Sequence, residues 1–350
     1  MRKTIPGLLA LALLAIPATA QATYDPIGSG KAQILLDEGM LSFLASNDLK
    51  LTAKSGARRH GGNLALQVGG GNLDPTIGMG EIEAEGTLTF QGKGGAVPLR
   101  AIRARTKHDT LIAKVGGSQL KIATSAKRNT KRSGFGTTYS AKALKLTAKV
   151  ATRLNKKLRP KKPFYAGQLM GALSANAQPA LATILPEGRV SISLDPSFIA
   201  KMDSLFVSIN PIFPAEHPGP FTFPVIVGGS LAPDGLEGTL RTGGSLEFLQ
   251  LGAGQVFQAE PWLDMGIRSL TAEVEARNTP SPGKLGRIGA YDFGAAEISS
   301  DSKTRTITVS GPLTLTGSTA QTFNEAFAEG NATFSAEELL GTLSFAAVAQ

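Results

Sequence analysis

The stretch Gly70–Gln91, GGNLDPTIGMGEIEAEGTLTFQ, occurs twice: Gly228–Leu249, GGSLAPDGLEGTLRTGGSLEFL, matches it without a gap at a constant offset of 158. Identical pairs are Gly70/Gly228, Gly71/Gly229, Leu73/Leu231, Pro75/Pro233, Gly80/Gly238, Gly86/Gly244, Leu88/Leu246 and Phe90/Phe248. The glycines and the proline mark turns, and the alternating apolar residues between them mark strands with one buried face. A block of this kind builds a sheet. It carries no reactive site.

The repetition extends outward in both directions. At the same offset Gly30, Ile34, Leu36 and Asp37 meet Gly188, Ile192, Leu194 and Asp195. One position later in register, Leu111, Ala113 and Val115 meet Leu270, Ala272 and Val274. At offset 169, Leu144, Leu146, Thr147 and Asn155 meet Leu313, Leu315, Thr316 and Asn324. At offset 170, Phe164, Ala166, Leu169, Gly171, Leu173, Ser174 and Ala177 meet Phe334, Ala336, Leu339, Gly341, Leu343, Ser344 and Ala347. The chain therefore reads as a tandem duplication, 28–178 and 186–350, joined by a linker over 179–185. The jump in offset places an insertion in the second copy between Val274 and Leu313, best at the loop Asn278–Gly283.

Within each copy the pattern predicts an opening strand, Gly30–Leu36 and Gly188–Leu194, ended by an Asp that caps a short helix. Met40 and Leu44, and Phe198, Met202 and Leu205, give those helices a core-facing stripe. Leu49–Ala53 and Phe206–Ile209 follow as strands, while Pro211–Val225 is too rich in proline for a central strand and reads as edge or loop. A meander follows in each copy, through strands near 80–90, 97–105, 110–116 and 119–124 in the first. Thr147 and Thr316 would each cap a second short helix, ending near Leu158 and Phe327. A last strand, Ala166–Ala175 and its copy 336–346, closes each unit. The fold class is all-β: two tandem antiparallel sandwiches or flattened barrels, each with about two short helices.

Bulk properties bound the function. Arg2 and Lys3, the apolar run Leu8–Ile16 and the small residues at Ala18–Ala22 predict a signal peptide over residues 1–22, hence a secreted or extracellular protein. No later stretch is apolar and long enough for a transmembrane helix. With no cysteine, disulfides, thiolate nucleophiles and thiolate metal sites are excluded. The 41 glycines and 20 prolines suit a turn-rich β protein, and Trp262 is the single tryptophan. The net charge of +9 is divided unevenly: residues 23–178 hold 25 Lys and Arg against 9 Asp and Glu, and residues 179–350 hold 9 against 18. A basic and an acidic copy of one fold imply a polyanionic partner for the first, or attraction between the copies.

No catalytic constellation is present: no nucleophile elbow, no HExxH pair and no phosphate loop, so the reading is a protein that binds and does not catalyse. His60, His108 and His217 are isolated in sequence and provide no metal-ligand spacing, with His60 and His217 read as loop residues. The cations stand out instead. Lys142, Lys145, Lys149, Arg153, Lys156, Lys157, Arg159, Lys161 and Lys162 crowd a predicted strand and the helix after it, with Lys127, Arg128, Lys131 and Arg132 just upstream. The bland reading is a solvated face. The functional one is polyanion binding, since clustered cations bind by displacing counterions. Export argues against nucleic acid and favours anionic cell-wall polymers, polysaccharides or phospholipid head groups. The matching stretch of the second copy, LTLTGSTAQTFNEAF, is neutral to acidic.

Each copy shows GG-x-L-x-P, then G-x-(I/L)-x-x-x-G-(T/S)-L-x-F, then L-x-A-x-V, L-x-L-T, an Asn after the helix and F-x-A-x-x-L-x-G. This pattern resembles the HtaA-type, or haem-transport-associated, domain of secreted and cell-surface proteins of actinobacteria. The resemblance implies an exported β-rich module that captures haem through a tyrosine supported by a histidine and an aromatic residue. Phenolate is a hard anionic donor suited to ferric haem. The family's tyrosine follows a Trp-Gly opening, where this chain has Leu36-Asp37 and Leu194-Asp195 with no tyrosine after either. Its histidine follows the G-x-L-x-F strand, where this chain has Gly92-Lys93-Gly94 and Gln250-Leu251-Gly252. No haem ligand carries over; Tyr139, Tyr165 and Tyr291 are read as packing residues. Two functions follow: a cell-envelope haem-binding protein, or a structural or adhesive envelope module whose basic first copy holds anionic wall polymer.

Overall fold

A computed structural model describes residues 24–279 and 282–350; the signal peptide read at 1–22 lies outside them. The first sheet contains β1 (Asp25–Leu36), β2 (Lys50–Lys54), β3 (Arg58–His60), β4 (Asn63–Leu73), β5 (Gly80–Ala84), β6 (Thr87–Gly92), β7 (Gly95–Arg105), β8 (Thr110–Val115), β9 (Ser118–Thr124), β10 (Lys127–Ser133), β11 (Gly136–Leu146) and β12 (Leu169–Pro179). The second contains β13 (Ala182–Thr183), β14 (Arg189–Leu194), β15 (Val207–Ile212), β16 (Phe221–Pro224), β17 (Ser230–Leu231), β18 (Gly238–Arg241), β19 (Ser245–Gln250), β20 (Gln255–Asp264), β21 (Ser269–Arg277), β22 (Gly283–Asp292), β23 (Glu297–Asp301), β24 (Thr306–Leu315) and β25 (Leu339–Val348). Helices α1 (Glu38–Ser46) and α2 (Ala148–Leu158) belong to the first half, α3 (Pro196–Ser204) and α4 (Gly317–Phe327) to the second.

All ladders are antiparallel, and the first sheet closes. Its order β7-β5-β4-β1-β12-β11-β9-β8 returns to β7 through the β7–β8 pairing, an eight-stranded barrel. The second runs β18-β20-β21-β22-β24-β25-β14-β16, and its ends meet at the bridge Val225–Thr242. Ile226 N–H to the Arg241 carbonyl (2.9 Å) and Gly243 N–H to the Pro224 carbonyl (3.0 Å) flank that bridge. The long β1 and β4 of the first barrel are each broken in two in the second, as β13/β14 and β16/β17. Pro186 and Pro224 stand at those breaks, where the ring removes a ladder donor. In both barrels a third strand, β2 or β15, extends the hairpin β6–β7 or β19–β20 as an outer edge. Alternation puts Leu64, Leu66 and Val68 of β4, and Leu111, Ala113 and Val115 of β8, inside the first barrel.

The repeated block is a strand–turn–strand unit, but its glycines differ from the sequence reading. The turn itself is Asp74–Met79, held by Asp74 N–H to the Met79 carbonyl (2.8 Å) and by Asp74 Oδ1 accepting from Thr76 N–H (2.8 Å). Gly71 and Gly80 lie in the ladder on either side. A Cβ on Gly71 would come within 2.1 Å of the Glu81 carbonyl oxygen, and one on Gly80 within 2.1 Å of the Asn72 oxygen. The close approach of two backbones, with φ of 107° and 146°, is what requires glycine there. The glycine-rich tail of β4 and the wholly polar, cationic β10 were not foreseen as strands. His60 ends β3 and is not in a loop.

Three helix starts follow their expected chemistry: Asp37 accepts from Gly39 N–H (2.9 Å), Asp195 from Ser197 N–H (2.8 Å) ahead of Pro196, and Thr316 from Thr319 N–H (3.3 Å). Thr147 makes no such cap. Its hydroxyl donates instead to the Lys121 carbonyl (2.5 Å), tying α2 to β9. The asparagine repeated between the copies clamps the chain leaving each second helix. Asn155 donates to the Phe164 carbonyl (2.8 Å) and accepts from Phe164 N–H (2.7 Å). Asn324 does the same at Phe334 (2.8 and 2.7 Å) and accepts from Thr333 N–H as well (2.9 Å).

The two barrels touch at the ends away from their helices. Asp25 Oδ1 accepts from the N–H (3.0 Å) and hydroxyl (2.7 Å) of Thr183, its own counterpart at offset 158. The β10–β11 turn packs Gly134 on Ser302 of the β23–β24 turn, and Phe135 is buried in the second core. Strand β13 falls within the stretch read as linker. From this junction β11 and β24 run outward to α2 and α4.

Asn155→Ala should lower stability by about 2 kcal/mol in a urea titration, because the buried Phe164 peptide groups lose both partners. Asn324→Ala should cost more. Burial raises the Asp25 carboxyl above its ordinary 3.8, and its Oδ2 has no partner among the described residues. A raised pKa means that ionisation weakens the fold. The weakening is absent below pH 3.8, grows up to the folded-state pKa and is constant above it. Asp25→Asn should therefore raise the melting temperature at pH 7, with the gain vanishing as acid protonates the wild-type carboxyl.

Candidate functional site: the basic helix end of the first barrel

Strand β11 exposes both Lys142 and Lys145 because its register shifts between buried Ala141 and buried Leu144, at left-handed Ala143 (φ 53°). Helix α2 buries Val150, Ala151, Leu154 and Leu158 and turns Lys149, Lys156 and Lys157 to solvent. Arg153 is half-buried and lies along the β8–β9 turn, where a Cβ on Gly116 would come within 2.2 Å of its Nη2. Arg159, in the left-handed conformation (φ 50°), ends α2, and Lys161 and Lys162 follow, all exposed. The fold thus brings all nine cations singled out in the sequence to one end of the barrel.

They are almost unpaired. Among the described residues only Lys161 of the nine has a carboxylate within ion-pair distance, Asp48 at 2.9 Å. The hydrogen bond and charge of Lys161, helped by Lys93, hold the Asp48 carboxyl below its ordinary range. Two placements oppose stability. Lys127 and Lys142 are direct cross-strand partners, a like-charge pair. Lys149 is the second residue of α2, at the positive end of the helix dipole, with Arg153 four residues on and no acidic residue in the helix. Lys156 and Lys157, in the last turn, do suit the dipole. At the corresponding positions of α4 stand Ser318, Thr322, Glu325 and Ala326. The cationic surface is therefore a property of the first copy, not of the frame.

The remaining candidates separate clearly. Tyr139 is buried, donates to Asp109 Oδ1 (3.4 Å), and burial beside that carboxylate pushes its phenol up to about 12. Tyr291 is wholly buried, donates to Gln258 Oε1 and is likewise raised by burial. Neither is poised to become a phenolate. Tyr165 is exposed. His217 stacks on Phe221 (4.8 Å, 12° between planes). His108 is not isolated in space: with Tyr24, Lys107 and the ion-paired Arg105 and Glu81 it lines an open cleft of about 310 Å³. Tyr24 and His108 are 84 positions apart in the chain, so no local pattern brings them to one cleft. Inside the first barrel the residual cavity is only about 20 Å³ and wholly apolar, so the barrel is a packed core. No group of three or more metal-binding side chains occurs among the described residues, and no helix there is long and apolar enough to cross a membrane.

No protein-family model matches the chain, and no curated protein sequence does. Solved structures from Corynebacterium glutamicum are similar in fold. The C-terminal domain of HtaA is 15% identical, covering 44% of this chain and 98% of its own, with a TM-score of 0.35. The N-terminal domain of HtaA is 18% identical over 47% of this chain and 98% of its own (TM-score 0.36). The haem-binding protein HtaB is 15% identical over 49% and 95% (TM-score 0.34).

Replacing Lys149 by Glu should raise the melting temperature by about 1–3 °C at low ionic strength, as a cation leaves the helix N-terminus and an i,i+4 pair with Arg153 forms. The gain should shrink in about 0.5 M salt.

Proposed function

We propose that this chain is an exported, non-catalytic binding protein of the cell envelope, and that the helix end of its first barrel holds an anionic polymer. The observation that carries this reading is the set of unpaired cations on α2 and β11, some of them placed against the helix dipole and against one another. A frame that tolerates Ser318, Thr322 and Glu325 at the same positions of α4 does not need them for folding. Residues kept against local stability are expected where a ligand supplies the missing charge. Wall polymers and phosphate-rich head groups share that chemistry.

Long-chain polyphosphate is a suitable probe, titrated at several salt concentrations. Affinity should fall steeply with salt, and Lys149→Glu with Lys156→Glu and Lys157→Glu should lower the log–log salt slope by about 3. Unchanged affinity in that triple variant would remove the proposal. Vesicles of anionic lipid run alongside separate a head-group target from a soluble polymer.

A second reading has its own observation. Tyr24 and His108 line one cleft with Lys107 and the Arg105–Glu81 ion pair (2.8 Å), so a phenol, an imidazole and an ammonium group face a common space. That donor set suits ferric haem with its carboxylates, although neither residue occupies the position at which the family carries its ligand. A haemin titration tests it: a saturable Soret shift lost in both Tyr24→Phe and His108→Ala would establish the cleft as the site. A shift lost only in Tyr165→Phe would move the ligand to the α2–β12 loop.

A further inference from the structure

Asp48 and Phe206 occupy equivalent turns, each directly after the first helix of its barrel and each left-handed with φ of 54°. In the first barrel the Asp48 carboxylate is covered by Lys161 (2.9 Å) and Lys93 (3.9 Å). In the second, Phe206 stands there 84% exposed, and Leu251, the counterpart of Lys93, is 86% exposed. The pairing of Val207 with Gln250 and the bond from Gln250 Nε2 to the Leu205 carbonyl (2.8 Å) hold the two turns side by side. A bulky residue in the left-handed region is strained, and no packing compensates Phe206. Exposed Asp203, whose carbonyl accepts from Phe206 N–H (2.9 Å), belongs to the same turn.

The first barrel carries the converse surface. Leu35 (60% exposed), Tyr165 (61%) and Leu169 lie on the outer face at its helix end. Lys145 is the cross-strand partner of Leu169, and exposed Lys162 precedes Tyr165 by three residues. The counterparts of Leu35 and Tyr165 in the second barrel are Ser193 and Ser335. The apolar tip belongs to the half of the chain with the acidic surplus, 18 Asp and Glu against 9 Lys and Arg, and the apolar face to the half with the basic surplus, 25 against 9. Within one chain they cannot meet. The helix ends lie a strand length beyond the junction on either side, about 35 Å for the eleven residues of β11.

We infer that a second copy of this chain is the partner: Phe206 and Leu251 of one molecule seat on the Leu35–Tyr165–Leu169 face of the next. The two surfaces are different, so the contact is heterologous and propagates into open head-to-tail chains. Charge complementarity orients the approach, and the apolar residues provide its centre.

Sedimentation velocity on the full mature chain tests this over about 1–200 µM, at about 0.05 and 0.5 M salt. The weight-average sedimentation coefficient should rise with concentration without a plateau at dimer, and less so at high salt. Phe206→Asp with Leu251→Lys installs the ion pair of the first barrel on the same backbone, so the variant should fold, and should weaken association at least about tenfold. Leu35→Ser with Tyr165→Ser and Leu169→Ser should do the same. Mixed together, the two variants should form a one-to-one dimer that goes no further, since each retains one working surface. A wild-type chain that stays monomeric throughout overturns the inference. So does association that survives the tip variant, or two variants that do not pair.

Discussion

Both barrels depend on a single backbone constraint: one strand must serve two neighbours on the same edge. Strand β7 pairs with β6 through Gly95–Leu99 and with β5 through Ile102–Arg105, and β20 repeats the arrangement with β19 and β18. The change of partner falls at Ala101 (φ 47°) and Glu260 (φ 49°), where the register with β8 and β21 also shifts. A left-handed non-glycine residue is strained, and here closure of the ring holds it. Without that bend β7 would follow β6 outward as a flat sheet, and the ends of the barrel would never meet.

Because closure is set by backbone geometry, the outward-facing side chains are free to diverge. The paired positions Glu83–Arg103 of the first barrel are Arg241–Trp262 in the second. An ion pair has become a stack in which the indole lies against two guanidinium groups, Arg241 at 4.6 Å and Arg287 at 3.6 Å from the ring centre. The same freedom explains how α2 and α4 share an apolar stripe and an asparagine clamp yet present opposite charge. Duplication of a closed frame gives two surfaces to vary independently.

Features that act through the backbone were the most legible in the sequence. The repeat, the all-β class and the paired helices all follow from glycine, proline and apolar periodicity, and the cationic run is read directly from its lysines and arginines. What escaped has specific causes. Strand β10, KRNTKRS, has no apolar alternation because it pairs only with β11, outside the barrel ring, and exposes five of its seven residues. Thr147 stands at the cap position of α2, yet its hydroxyl bonds β9 and accepts from no helix N–H, whereas Thr316 bonds its strand and caps as well. The glycines of the repeated block suggested turns because sequence alone cannot distinguish a bend from two backbones in contact. The meeting of Tyr24 with His108 depends on the β1–β4–β5–β7 neighbourhood, which no local pattern encodes.

The stacked tryptophan has a practical consequence. It is the single indole of the molecule and belongs to the second barrel alone, against two guanidinium groups. Tryptophan fluorescence therefore follows one barrel, whereas far-ultraviolet circular dichroism follows both. The two signals will coincide if Phe135 and the Asp25–Thr183 contact join the barrels into one cooperative unit, and will separate if each barrel melts by itself.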